Sequence, residues 1–233
     1  MNNSKSIIFY TANRIYDEMM NKNVECLKKS AVGIPIISVS QKPMPDLGTN
    51  IVFENKEQTY LNIYRQLYIG AKASTSDILY ACEDDTFYAP SHFELYPFDE
   101  NTFAYNMNKW SYFVWRPDIF SNRNRKTLNC LIAPRLKLIE ALEERFDLLD
   151  KLGDKIKMCY WSEFSRNVYE RHLGVKEQKG EELESREPIV MVNHEKSINY
   201  LKQGTRKRLG DKRAFELPYW GSAKSFGEKY SIL

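Results

Sequence analysis

The sequence predicts an α/β protein with a mixed, mostly parallel sheet flanked by helices, and three observations predict it. Short apolar runs of strand composition alternate with amphipathic helical spacing through the first hundred residues, in the order β-α-β-β-α-β. One of those runs, Asp77-Ile78-Leu79-Tyr80-Ala81-Cys82, ends in Glu83-Asp84-Asp85, as a buried strand ends where ligands bind. A chain of 233 residues with 42% hydrophobic content suits a single domain of this kind and excludes global disorder.

Residues 7–10 read as the first strand. Thr11 or Asn13 then caps a helix that carries Met20, Val24 and Leu27 on one face and runs to about Ser30. A second strand over 34–39 lies between Gly33 and the turn-rich Gln41-Lys42-Pro43-Met44-Pro45-Asp46, and 51–53 form a short third. Leu61, Tyr64, Tyr68 and Ala71 mark an amphipathic helix over 56–73, and the strand at 77–82 follows. Beyond it the pattern changes. Residues 103–115 partly alternate aromatic and polar side chains, which predicts a small antiparallel element. A turn at 122–125 and a strand at 128–132 come next. Pro134 then reads as the first residue of a helix whose face is Ile139, Leu142, Phe146 and Leu149. Another helix begins near Ser162, residues 176–188 read as an exposed, mobile loop, and 189–192 as a last strand. This gives one domain over 1–200. Residues 201–233 read as a basic tail that packs on or closes over the ligand site.

The net charge of +3 neither requires nor excludes an anionic partner. Cys26, Cys82, Cys130 and Cys159 lie far apart with no C-x-x-C pair, which predicts free thiols in a reducing compartment. The polar start leads straight into a strand, and no apolar run approaches the length of a membrane span. A soluble, cytoplasmic protein is therefore expected.

Three adjacent carboxylates repel one another unless solvent or a cation relieves them. A hard divalent cation with oxygen ligands, itself holding a diphosphate, is the usual relief, so Glu83-Asp84-Asp85 is a candidate metal–nucleotide site.

The first strand ending in Thr11-Ala12-Asn13-Arg14, the Arg65-Gln66 pair on the second helix and Glu83-Asp84-Asp85 after the next strand together resemble a GT-A (Rossmann-like) glycosyltransferase. Within that group the chain is most similar to the family-two type, over about residues 5–195. It departs from the pattern in three places. Glutamate occupies the first carboxylate position, glutamine replaces the asparagine of an A-R-N-x-G helix, and the spacing from helix to acidic motif is slightly longer.

The resemblance implies metal-dependent transfer of a sugar from a nucleotide-diphosphate donor, expected to be a UDP-sugar. The acceptor would be a hydroxyl of a glycan or of a modified base of DNA. It implies Thr11, Asn13 and Arg14 near the base and ribose, Arg65, Glu83 and Asp84 on the donor nucleotide, and the metal on Asp85. His194, after the late strand, would complete the metal shell, and an imidazole ligand suits Mn2+ better than Mg2+. Glu163, in Trp161-Ser162-Glu163-Phe164-Ser165-Arg166, takes the place of the general base, with Asp118 and Asp154 as alternatives. Trp110 and Trp161 are expected in the acceptor cleft, whereas Tyr112 and Trp115 read as core. His92 and His172 take no role.

Lys202, Arg206 and Arg208 belong to a basic run that either contacts the diphosphate, contacts a nucleic-acid acceptor or is simply solvated. That run and the 176–188 loop are expected to order over bound donor. Two other readings remain. A nucleotidyltransferase would usually carry glycines after the first strand to hold a triphosphate, and residues 11–14 have none. A non-catalytic module binding nucleic acid or carbohydrate would share the fold without the chemistry.

Overall fold

The structure, a computed structural model, describes residues 4–153, 161–197 and 209–232. Its first half follows the predicted alternation: β1 (Lys5–Thr11), α1 (Asp17–Ser30), β2 (Ile36–Ser40), β3 (Thr49–Val52), α2 (Tyr60–Ala73) and β4 (Ile78–Glu83). Then come β5 (Thr86–Phe87), β6 (Thr102–Asn106), β7 (Lys109–Phe113), β8 (Arg116–Asn122) and β9 (Leu131–Pro134). They are followed by α3 (Arg135–Leu152), α4 (Asn167–Leu173), β10 (Lys179–Leu183) and β11 (Ile189–Asn193). The chain closes through β12 (Lys212–Ala214), β13 (Glu216–Leu217), β14 (Gly221–Ser222) and α5 (Ala223–Lys229).

The large sheet has the order β10-β6-β9-β4-β1-β2-β3. Only β9 runs against its neighbours, so the sheet is mixed and mostly parallel, as predicted. Ile7, Ile8 and Phe9 are fully buried in succession, the signature of a strand covered on both faces. The cover on one face is close. A Cβ on Gly70 of α2 would stand 2.4 Å from Ile8 Cγ2, so only glycine lets this helix lie so near β1.

A second sheet, β12-β8-β7-β11-β5, is antiparallel except for the β7–β11 pair, and it supplies the predicted smaller element. It carries its own core, in which Phe226 of α5 meets Phe87, Tyr112, Phe120 and Trp220 with ring centroids 5.3 to 5.6 Å apart. Residues 209–232 are thus built into this second layer, through β12 on β8 and α5 on the shared aromatic cluster.

Several local expectations are corrected. Neither Thr11 nor Asn13 caps α1, which starts at Asp17 after Tyr16 without a side-chain cap. The Thr11 hydroxyl instead accepts the Asn13 N–H at 2.7 Å, and Asn13 takes a left-handed φ of 50°. The helix α2 starts at Tyr60 rather than 56, because Thr59 caps it by accepting the Asn62 N–H. Pro134 ends β9 and precedes α3, a strand end being a place where its missing N–H breaks no ladder. The helix expected near Ser162 starts only at Asn167. Residues 176–188 are not merely a loop: they contain β10, which pairs parallel to β6. Edge strands carry charge on their open side, and this one reads as hydrophilic for that reason.

Candidate functional site

A cavity of about 630 Å³ opens at the carboxyl ends of β1 and β4, the place where open α/β sheets bind ligands. Its walls come from Thr11 and Glu83 of the large sheet, Lys109, Ser111 and Met191 of the second, Tyr60 and Tyr64 of α2, and the 161–166 segment. Gln66 braces the mouth from below. Its side-chain amide donates to the Thr11 and Val39 carbonyls at 2.8 Å each, tying the ends of β1 and β2 together.

Each carboxylate of the acidic triplet has a distinct partner. Tyr10 donates its hydroxyl to Glu83 Oε1 at 2.7 Å, Thr11 donates to Asp84 Oδ2, and Thr86 donates to Asp85 Oδ1 at 3.1 Å. The free oxygen of Asp85, Oδ2, lies 3.7 Å from His194 Nε2. The β5–β11 ladder makes this meeting, pairing Thr86 with Met191, while Val192 N–H donates to the Asp85 carbonyl at 2.7 Å.

Burial, with the charge of Asp85 second, pushes the Glu83 carboxyl up to about 8. The same two causes push Asp84 up to about 7. Among the described residues, no three of His, Cys, Asp and Glu converge as a closed metal cage. Asp85 and His194 form an open pair instead. Ligand distances near 2.1 Å let one divalent ion bridge a gap of this size, leaving its other positions to water and phosphate oxygens. The donor set therefore fits a metal that is shared with its ligand.

Thr11, Arg14, Glu83, Asp84, Asp85, Trp161, Glu163 and His194 all line this one cavity. Asn13, Arg65, Trp110 and Asp118 do not. Asn13 shapes the loop, accepting the Lys42 N–H at 2.9 Å through Oδ1. Arg65 bonds Asn62 Oδ1 at 3.2 Å, and it is its neighbour Gln66 that faces inward. Trp110 lies on the opposite face of β7, because strand alternation sends Lys109 and Ser111 into the cavity; its indole N–H bonds Asn108 Oδ1. Asp118 is exposed and paired with Arg116, away from the cavity. Asp154, Lys202, Arg206 and Arg208 lie outside the described residues. His92 is buried in the core, where burial drives its imidazole down to about 3.

Glu163 sits in the loop before α4, with Oε2 2.9 Å from Arg166 and Oε1 3.9 Å from Arg125. This loop is anchored by a buried ion pair. Arg145 of α3, 1% exposed, donates to the Ser162 carbonyl at 3.0 Å and to Glu170 Oε1 at 3.2 Å. Its guanidinium also lies 4.2 Å from the centre of the Phe164 ring. Arg145, Lys109, Arg123 and Arg125 also take part in the site or its support, and none carries a motif in the sequence. The last two stand in a stretch that reads only as a turn, and alternation places Lys109 opposite Trp110 without saying which face meets the cavity.

No family model matches the sequence, and no curated protein does. Among solved structures, the glycosyltransferase GlyE of Streptococcus pneumoniae TIGR4 is similar at 13% identity with a TM-score of 0.47. The match covers 78% of this chain and 46% of that one, so this chain spans about half its length. A glycosyltransferase involved in glycosylation of the major capsid of PBCV-1 matches at 10% identity and TM-score 0.46, covering 81% of this chain and 93% of that one. The bifunctional IspDF of Campylobacter jejuni matches at 11% identity and TM-score 0.42, covering 79% and 50%. The residues of the cavity, rather than these likenesses, carry the functional reading. No helix among the described residues is long and apolar enough to cross a membrane.

Proposed function

We propose that this protein is a metal-dependent glycosyltransferase that moves a sugar from a nucleotide-diphosphate donor, a UDP-sugar, to an acceptor hydroxyl. The observation that carries the reading is the meeting of Asp85 and His194, from segments far apart in sequence, over a cavity crowded with carboxylates. Two such ligands with open coordination suit a cation whose remaining partners are phosphate oxygens.

When bound there, Mn2+ or Mg2+ would neutralise charge developing on the departing diphosphate. The protein's own groups do the rest. Asp85 and His194 would hold the ion. Glu83 and Asp84, oriented by Tyr10 and Thr11, line the cavity where they would meet the ribose hydroxyls. Arg14, fixed to the Lys56 carbonyl at 2.8 Å, borders the nucleoside end. Glu163, oriented by Arg166, takes the proton of the attacking hydroxyl. Trp161 closes the floor beneath the sugar, packed edge-on against Tyr64.

Thermal stability against a panel of nucleotide sugars, with and without Mn2+, tests this. A ligand binding only the native state raises stability by mass action. The reading expects a metal-dependent rise with one donor that disappears in Asp85→Ala. A complete lack of response to every donor would overturn it.

A further inference from the structure

We propose that Lys109, Arg123 and Arg125 form an oxyanion subsite that holds a phosphate or carboxylate group of the acceptor. The inference deepens the glycosyltransferase reading and rests on it, since it names the chemistry of the second substrate.

The loop after β8 is shaped to present two guanidiniums on one side. Asn122 Oδ1 accepts the Asn124 N–H at 2.7 Å, and Asn124 adopts a left-handed φ of 45°. Arg123 and Arg125 both line the cavity as a result, while Lys126, the next residue, turns away to Glu182 at 3.5 Å. Beneath them Lys109 is 7% exposed. Its ammonium donates to the Arg125 carbonyl at 3.0 Å and to Thr127 Oγ1 at 2.5 Å. An ammonium has three N–H donors, so one is left over in a residue that lines the cavity.

These charges are poorly answered by the protein. Among the described residues, no carboxylate lies within ion-pair distance of Arg123 or Lys109. The carboxylate nearest Arg125 is Glu163 at 3.9 Å, which Arg166 holds more closely at 2.9 Å. Arg123 also feels its neighbour, because burial and the charge of Arg125 both disfavour its charged form. A buried ammonium beside two adjacent guanidiniums is a preformed place for an oxyanion, which guanidinium forks grip with two parallel hydrogen bonds. The opposite holds where Glu83, Asp84 and Asp85 crowd together and call for a cation. The cavity therefore has a cation-seeking wall and an anion-seeking wall. The donor's diphosphate belongs with the cation at Asp85. The arginines stand by Glu163, so the group they hold sits beside the hydroxyl that Glu163 deprotonates.

The test uses the full chain and the variant Arg123→Gln/Arg125→Gln, whose changes fall on an exposed loop. Binding of UDP with Mn2+ is measured first in both proteins. If the unaltered protein fails to bind UDP with Mn2+, the glycosyltransferase reading falls by itself. If the variant alone loses UDP, the arginines serve the donor and the subsite proposal is overturned. With UDP and Mn2+ saturating, both proteins are then titrated with glucose 6-phosphate, glucuronate and a thymidine octanucleotide, following tryptophan fluorescence. The proposal expects at least one probe to bind and to bind tenfold or more weakly in the variant. The probe that responds identifies the source as phosphomonoester, carboxylate or phosphodiester. Binding of none, or binding that the variant leaves unchanged, overturns it.

Discussion

His194 meets Asp85 through Nε2 at 3.7 Å while its Nδ1 accepts the Lys196 backbone N–H at 3.2 Å. A neutral ring that accepts at Nδ1 carries its proton on Nε2, pointing at the carboxylate. A cation on Nε2 requires the proton on Nδ1, where it opposes the Lys196 N–H. Metal binding at the proposed site and the turn after β11 would thereby be linked. Addition of Mg2+ with UDP should speed hydrogen exchange at the Lys196 amide and shift its resonance, while His194→Ala should weaken metal-dependent UDP binding at least about tenfold. A Lys196 amide indifferent to metal would contradict the linkage.

The raised carboxyls of Glu83 and Asp84 make stability depend on pH. Both titrate above the ordinary carboxylate range near about 4, so the native state holds more protons than the unfolded chain between that range and the folded values. Their contribution is fully present below the ordinary range and is lost as pH rises through about 7 for Asp84 and about 8 for Glu83. In chelator, the melting temperature should fall from pH 5 to pH 8 more steeply than in Asp84→Asn. Mn2+ should flatten that difference. Parallel curves for the two proteins would refute the assignment.

Arg145 should matter well beyond its single charge. Arg145→Ala leaves Glu170 buried without its cation and frees the Ser162 carbonyl, and losing one partner of a buried pair costs about 3–5 kcal/mol. Glu170→Gln should cost less, since an amide oxygen still accepts the Ser165 N–H. Urea denaturation of the three proteins decides it. Equal losses would mean that the pair does not act as described.

The carboxyl-terminal helix is an integral part of the second layer. Phe226 is fully buried among the rings of Phe87, Tyr112, Phe120, Trp220 and Tyr230, and truncating such a side chain costs about 3–5 kcal/mol. Phe226→Ala should lower stability by that amount, read from the urea midpoint. A loss below about 1 kcal/mol would be typical of a surface position and would contradict the packing.

How far the sequence reveals this molecule depends on what each segment buries. The strands β1 and β4 are covered on both faces, so their apolar runs are plain, and the acids at the end of β4 mark the cavity. The place of His194 follows from the short strand before it. Trp110 lies on the face away from the cavity, which composition cannot reveal because a one-residue shift swaps the faces of a strand. Arg145 is not legible in the sequence because a helical face is traced by its apolar residues, and a buried guanidinium interrupts the trace. β10 hid behind the charge of its open edge, and α5 behind sparse aromatics that only close together in space.

The parallel pairing of β7 with β11 has a consequence for how the chain folds. Lys109 is matched with Ile189, so β11, which leads directly into His194, docks only after a long loop has closed. Contacts between distant segments form slowly, because chain entropy is lost before the contact rewards it. Asp85 emerges from synthesis early and its imidazole partner late. A nascent chain thus carries the acids without His194, and the proposed cation site would be completed only together with the second sheet.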